Sequence, residues 1–362
     1  MLINQTFEID SCDDVELNIK RTSKLEYRIS YDDEKDIKAI VFVIGGYGAN
    51  ANISFLDFDR EYIAKNFDVV VVHVFYHCFC ARISNNKKYS ASISFMEEDL
   101  LSLSKILLDF GINPQNLDCK NSTKYYELLI QHIIILKSQG KLAQNYQAKF
   151  TSTFIPPNGD YQNYGIMAAI DHINALKDLV KRFPKFADLP KIYGGGSYGG
   201  YLALLIAKIA PWYVDGVIDN SGTVLPLLEC IIGKDLSRPE FFFSDLNKLV
   251  GMFIKTYWTR EDERLSYFFT NENYMIRSLL NSSHLTIQAS VNKNIILVSY
   301  HSLKDPFNTA KDKQTLFLAY KELGYDATLH LIKDESEIDG RFIKDLNHGM
   351  RITDKALFRK EL

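Results

Sequence analysis

The sequence predicts an α/β fold, a mostly parallel, doubly wound sheet with helices on both faces. Three observations carry that expectation. Continuous apolar runs such as "IKAIVFVI" and "DVVVVHVF" read as strands buried on both faces, the pattern of parallel sheet. Stretches with apolar residues at helical spacing fall between those runs, so strand and helix alternate. Strand-to-helix turns are glycine-rich, most densely in "GGGSYGG" (194–200), where five of the chain's 19 glycines surround one serine.

In chain order, "FEID", "VELNIK" and "LEYRISYD" alternate apolar and polar residues and are expected to be short antiparallel strands with one wet face. "IKAIVFVIGGYGAN" (37–50) is a buried strand ending in a glycine turn, "SFLDFDREYIAKNF" (54–67) a helix, and "DVVVVHVFYH" (68–77) the next strand, which together make a βαβ unit. From about 82 to 155 the alternation breaks. Polar, helical-looking pieces such as "SFMEEDLLSLSKILLDFG" and "STKYYELLIQHIIILKSQGKLA" read there as an inserted cap and not as sheet. The alternation resumes with the helix "YGIMAAIDHINALKDLVKRF", the strand "KIYGG", the helix "GGYLALLIAKIA" and the strand "VDGVIDNSG". A second irregular segment, about 223–292, holds "FFF", Tyr257, Trp258 and "YFF", rings that either pack a satellite core or line a substrate pocket. The strand "NIILVSYH", the helix "AKDKQTLFLAYKELG", the strand "ATLHLIK" and the helix "DKALFRKEL" close the pattern. No repeat or linker divides the chain, so residues 1–362 are expected to form a single domain with two inserted caps.

Composition narrows the partners. Hydrophobic content of 46% and charged content of 24% are those of a soluble globular protein, and the net charge of −3 gives no basic footprint for nucleic acid. The longest apolar stretch, "VVVVHVFYHCFCA" (69–81), falls short of a membrane span of about 20 residues. The amino terminus, "MLINQTFEIDSCDDVE", carries acids where a secretory signal has basic and then apolar residues. Five cysteines form no even framework, and free thiols suit a reducing compartment. A cytoplasmic protein without membrane or nucleic-acid partners is expected, and its oligomeric state is left open.

The glycine loop fits two chemistries. Gly195-Gly196-Ser197-Tyr198-Gly199 spells G-x-S-x-G, the nucleophile elbow that lifts a serine hydroxyl out of a sharp strand-to-helix turn. Gly194 to Gly199 also spells G-x-G-x-x-G, whose amides cradle a dinucleotide pyrophosphate, with Asp219 about 20 residues on as the ribose acid. The loop from Gly46 to Ala51 matches G-x-G-x-x-A as well, but the strand after it ends in histidines and cysteines with no acid for a ribose. The serine reading accounts for more residues with one site. A nucleophilic serine needs a base, a group that orients the base, and amide donors for the oxyanion. In α/β-hydrolases these come in the order serine, acid, histidine, with one donor from the loop after the third strand. Asp305 follows the strand "NIILVSYH", His348 follows the last strand, and "IGGYG" (44–48) is the donor loop. Asp219 is the rival acid, because it also ends a core strand. His132, His172 and His330 read as packing or surface residues. His73 and His77, on one face of a strand beside Cys78, are the one arrangement that suggests a metal, and no carboxylates at ligand spacing accompany them. Neither a metal nor another cofactor is expected.

The longer string "GGGSYGGYLALLIAKIAPWYVDGVIDNSG" resembles the elbow region of prolyl-oligopeptidase-type serine hydrolases, members of the α/β-hydrolase superfamily in which G-x-S-Y-G-G is usual. The carboxy-terminal order is similar too: a strand, "LKDPFN", a helix ending in "ELG", a strand, then His-Gly. This resemblance covers about 36–80 and 156–360. It implies an α/β-hydrolase fold, a Ser197, Asp305, His348 triad, and an oxyanion hole made by the amides of Tyr198 and of the Gly46-Tyr47 turn. Two departures point away from a peptidase and toward a carboxylic ester hydrolase: Ile44 stands where that family has a histidine, and two caps stand in place of its propeller. The whole chain resembles a bacterial hydrolase-like family found among flagellin-glycosylation genes, which implies a small acylated substrate such as an O-acyl sugar or sugar nucleotide. A peptidase or acyltransferase would use the same triad. A dinucleotide-binding oxidoreductase and a non-catalytic interaction protein on a hydrolase scaffold are the readings from other classes.

Overall fold

The computed structural model describes residues 1–48 and 53–362. The chain divides into two compact units, one of Met1–Phe79, Asn163–Leu227 and Thr270–Leu362, the other of Cys80–Gln162 and Leu228–Phe269.

The first unit is built on an eight-stranded sheet. Its strands are β1 (Leu2–Asp10), β2 (Lys24–Asp32), β3 (Ala39–Val43), β4 (Val69–Phe75), β5 (Lys191–Gly196), β6 (Gly216–Asn220), β7 (Ile296–Ser302) and β8 (Asp326–Ile332). Its helices are α1 (Ile53–Asn66), α2 (Ile166–Arg182), α3 (Tyr198–Ile209), α4 (Asn271–Arg277), α5 (Ser282–Val291), α6 (Ala310–Glu322) and α7 (Asp354–Glu361). The strand order is β1-β2-β4-β3-β5-β6-β7-β8. β2 pairs antiparallel with β1 and β4, and every later pairing is parallel, as the continuous apolar runs predict.

The pleat sorts the strand residues between two helix layers. Val41, Val43, Val69 and Val71 share a core with Ile63 and Ala64 of α1 and Leu357 and Phe358 of α7. On the opposite face Phe42 stacks on Tyr193 at 4.5 Å, with His172 of α2 edge-on at 6.1 Å. α3 is buried at every position from Tyr198 to Lys208, which is why "YLALLIAKIA" is apolar all round and shows no polar stripe. His172 and His330 pack as expected, the first with Nδ1 on the Ala168 carbonyl at 2.7 Å, the second stacked on Tyr300 at 4.5 Å.

Three expectations change. "VELNIK" forms no strand: the Asp14 carboxylate accepts the N–H groups of Glu16 and Leu17, Asn18 takes φ 52°, and a single Asp14–Ile19 bridge closes the turn. The inserted segments do contain sheet. In the second unit strands Ser92–Ser94, Ala148–Ile155, Lys248–Ile254 and Phe241–Ser244 pair in that order, with Ala148–Ile155 parallel to Lys248–Ile254. Phe95, Leu103, Leu129, Ile133, Phe150, Val250 and Met252 form that unit's core. Finally, the expected segment 223–292 splits, since residues 270–292 belong to the first unit. Arg277, with no exposed surface, pairs with Glu16 at 2.7 Å and donates to the carbonyls of Asn163 and Tyr164. Lys208 of α3 donates to the carbonyls of Met275, Ile276 and Ser278, and burial pulls its pKa down to about 8.

Candidate active site

β5 runs straight into Ser197, which takes φ 56° and ψ −121°, and α3 begins at the next residue. A serine at positive φ is strained by about 1–3 kcal/mol and persists only where its surroundings fix it. Here the Ser197 N–H donates to the Asn220 carbonyl at 2.7 Å, and its own carbonyl accepts the Tyr201 N–H at 3.1 Å. The glycines around it are demanded by close approach. A Cβ on Gly195 or on Gly199 would lie 2.1 Å from the Ile44 carbonyl oxygen, and one on Gly200 would lie 2.0 Å from the Asp219 carboxylate. The turn after β3 and the core acid of β6 therefore both press against the elbow, and only glycine leaves room.

His348 sits in the loop between β8 and α7, where Gly349, Met350 and Arg351 all take positive φ. Its Nε2 lies 2.7 Å from Ser197 Oγ, and its Nδ1 lies 2.8 Å from Asp305 Oδ2. The carboxylate can only accept, so Nδ1 carries the proton and Nε2 is left as the acceptor for the serine hydroxyl. Asp305, three residues beyond β7, also accepts the N–H groups of Phe307 at 2.9 Å and Asn308 at 3.1 Å. Burial works against its charge, but the His348 bond and those backbone donors outweigh it and hold the carboxyl below its ordinary pKa. Its side chain is fully covered whereas that of His348 is 21% exposed, so the imidazole faces both an anchored anion and solvent.

The amides expected to serve as oxyanion donors are those of Tyr198 and of the Gly46-Tyr47 turn. Tyr198 is the first residue of α3, and an N–H there has no partner within the helix and sits at its positive end. Among the described residues a Cβ on Gly46 would meet the Gly196 carbonyl, at 3.8 Å, so the β3 turn borders the elbow. The Tyr76 hydroxyl donates to the carbonyls of Gly45 at 3.0 Å and Gly46 at 3.3 Å, which ties the turn to the end of β4. The Tyr47 ring packs edge-on against that of Tyr198 at 5.3 Å. Ala49, Asn50 and Ala51 of the G-x-G-x-x-A match lie outside the described residues.

Asp219 does not reach the imidazole. Its carboxylate accepts from Lys313 Nζ at 2.5 Å, Ser299 Oγ at 2.6 Å and the Gly222 N–H at 2.8 Å, and both charged side chains are fully covered. The same enclosure removes it as a ribose acid for the dinucleotide reading. His73 and His77 do not share a strand face, because β4 ends at Phe75 and the His77 N–H donates to Asp171. Burial pushes the His73 pKa down to about 3, with Arg60 adding to it. Among the described residues no three or more His, Cys, Asp or Glu side chains are grouped to hold a metal ion, and no helix is long and apolar enough to cross a membrane. None of the five cysteines forms a disulfide among the described residues.

Several residues of the site escaped sequence reasoning. Tyr76, Asn220 and Ser221 act through backbone groups far away in sequence, and no short motif marks them. Phe307, 70% exposed and edge-on to His348 at 5.2 Å, stands in "DPFN" directly after the acid, where its proximity to the base was open to inference.

No curated protein matches the chain. Among solved structures it is similar to an acylaminoacyl peptidase of Pyrococcus horikoshii, at 14% identity and a TM-score of 0.46, over 99% of this chain and 40% of that one. It is also similar to an arylesterase, at 12% identity and a TM-score of 0.46, over 99% and 81% of the two chains. Brefeldin A esterase, a bacterial homologue of human hormone sensitive lipase, shows 12% identity and a TM-score of 0.47 over 100% and 72%. The chain thus spans about two fifths of the length of the peptidase. The strand-turn-helix at Ser197 on a mostly parallel sheet, with the turn after β3 against it, makes this an α/β-hydrolase fold. The family described as "Protein of unknown function (DUF2920)" matches residues 5–362, and the chain belongs to that family.

Proposed function

We propose that the protein is a serine hydrolase that cleaves carboxylic esters through an acyl-enzyme. One observation carries this reading: Ser197, His348 and Asp305 are joined by two hydrogen bonds of 2.7 and 2.8 Å, with the serine held on a strained elbow. Ser197 Oγ attacks the ester carbonyl carbon as its proton passes to His348 Nε2, and Asp305 stabilises the imidazolium through Nδ1–H. The negative charge on the former carbonyl oxygen falls to the amides of Tyr198 and of the Gly46-Tyr47 turn. Collapse of the adduct breaks the carbon–oxygen bond, and the leaving alcohol takes the proton from Nε2. Water then attacks the acyl-Ser197, gives its proton to the same nitrogen and releases the acid.

An ester is favoured over a peptide by the sequence departures at Ile44 and the two insertions. Within esters, an O-acyl group on a sugar or sugar nucleotide is the class that the family resemblance implies, and a cytoplasmic location accords with such a small substrate. Initial rates on p-nitrophenyl acetate and butyrate and on peptide p-nitroanilides test the reading. Turnover of the esters, lost by a factor of at least about 10³ in Ser197→Ala, is expected. Equal rates in the wild type and Ser197→Ala would dismiss it.

A further inference from the structure

We propose that Asn220 and Ser221, two consecutive buried residues where β6 ends, form a clamp that holds nucleophile, base and acid in register. They are positioning residues for the reaction proposed above, and the inference rests on that reading. β6 lies between β5, which delivers Ser197, and β7, which leads to Asp305. The Asn220 carbonyl accepts the Ser197 N–H at 2.7 Å and so fixes the nucleophile's backbone. The Asn220 side-chain amide donates to the Gly349 carbonyl at 3.0 Å, and the Gly349 N–H donates to Ser221 Oγ at 3.2 Å. Both polar backbone groups of the residue after His348 are therefore held by this pair. The acid is tied in as well: Asn308 donates its side-chain amide to the Ser221 carbonyl at 2.7 Å and its N–H to Asp305 Oδ1 at 3.1 Å. A Ser221 Oγ to Asn220 Oδ1 bond of 3.4 Å closes the network, and the Ser221 N–H is anchored on the Tyr300 carbonyl at 2.9 Å.

Two further facts favour a positioning role. Ser221 takes φ 58°, a conformation that L side chains rarely adopt and that persists only where contacts over-determine it. The His348 loop has three successive residues at positive φ before α7 begins, so the short 3₁₀ turn that His348 opens is broken directly after it. Asn220 and Ser221 are 1% and 0% exposed, beneath the site and out of reach of substrate. Triad geometry tolerates little displacement, because a shift of about 1 Å in a reacting group costs about 100-fold in rate.

Asn220→Ala and Ser221→Gly test the clamp. Ser221→Gly deletes the hydroxyl while relieving the positive φ, so its folding is safeguarded. Each variant is expected to lower kcat on p-nitrophenyl acetate by about 10- to 100-fold with KM within about twofold of wild type, the signature of an interaction felt only in the transition state. The rate constant for fluorophosphonate labelling should fall by the same factor. Folded variants with kcat and labelling within about twofold of wild type would overturn the proposal, as would a lowered Tm with unchanged kcat. A third readout separates it from the hydrolase reading: the low-field proton resonance of His348 Nδ1–H, identified by its loss in His348→Ala. If the wild type neither turns over nor labels, the hydrolase reading fails, and the resonance decides the clamp. Its shift or loss in Asn220→Ala supports the clamp, and an unchanged resonance refutes it.

Discussion

Replacing Lys313 by Met removes the cation bonded to Asp219, a carboxylate buried in the first unit. Asp219 and Lys313 are both 0% exposed, and the remaining donors to Asp219 are the Ser299 hydroxyl at 2.6 Å and the Gly222 N–H at 2.8 Å. Methionine keeps the apolar stem of the lysine, so the change isolates the loss of charge. Two neutral donors do not compensate a carboxylate held away from water, and breaking a buried pair from one side costs about 3–5 kcal/mol. Against a total stability of about 5–15 kcal/mol this is a large fraction. At about 2–4 °C per kcal/mol for a body of this size, Tm falls by roughly 10 °C. Equilibrium urea unfolding should show the same loss as a lower midpoint at constant slope. Adding Asp219→Asn to the Lys313→Met background should recover much of it, because the orphaned charge goes with its partner. A loss under about 1 kcal/mol in the single variant, or a double variant no more stable, refutes the reasoning that the pair is desolvated. The assay also bears on the site, since a folded Asp219→Asn protein that still labels at Ser197 excludes Asp219 as the triad acid.

Other consequences follow from the same geometry. Asp305→Asn should retain the fold and lower kcat by roughly 10⁴-fold, because the amide leaves His348 in the wrong tautomer; a loss of under tenfold in steady-state assays would contradict its role. Gly199→Ala places a Cβ 2.1 Å from the Ile44 carbonyl, a backbone atom that cannot swing aside, and should cost roughly 1–3 kcal/mol in urea unfolding together with ester turnover. Asp354, at the start of α7, accepts the Gly196 N–H, and burial, with Asp59 adding to it, pushes its pKa up to about 7. A carboxyl raised in the folded state gives stability that is present at low pH and lost as pH rises from about 4 to 7. Asp354→Asn should therefore gain on the wild type by roughly 2 kcal/mol more at pH 8 than at pH 4.5, a value reduced from the full shift because the side chain is partly exposed. An equal difference at the two pH values in urea unfolding would rule that out.

The candidate serine, acid and base were legible because G-x-S-x-G imposes its own local geometry and because Asp305 and His348 follow the last two strands of the sheet in the order that a serine nucleophile's partners take. Ser197, Asp305 and His348 were found from order and turn chemistry, and the structure brings their side chains together. The β3 turn was legible for the same reason, although Tyr76, which holds its carbonyls, was not. What escaped depends on distant partners. Ala148–Ile155 finds its parallel partner in Lys248–Ile254, about a hundred residues on, and nothing in "AKFTSTFI" announces it. Residues 270–292 read as part of an insertion because the tie that assigns them to the first unit, Arg277 on Glu16, Asn163 and Tyr164, spans more than a hundred residues in either case. "VELNIK" is a different failure: Asp14 and Asn18 are turn formers, and their local chemistry outweighs the alternating pattern.

The most direct measurement of the central claim is the mass of the intact protein after reaction with a fluorophosphonate, with the adduct mapped by peptide sequencing. One adduct per chain on Ser197, absent in Ser197→Ala and formed far more slowly in His348→Ala, is the predicted result. An unmodified wild-type protein, or an adduct that forms equally well without His348, would contradict the claim that the imidazole activates this serine.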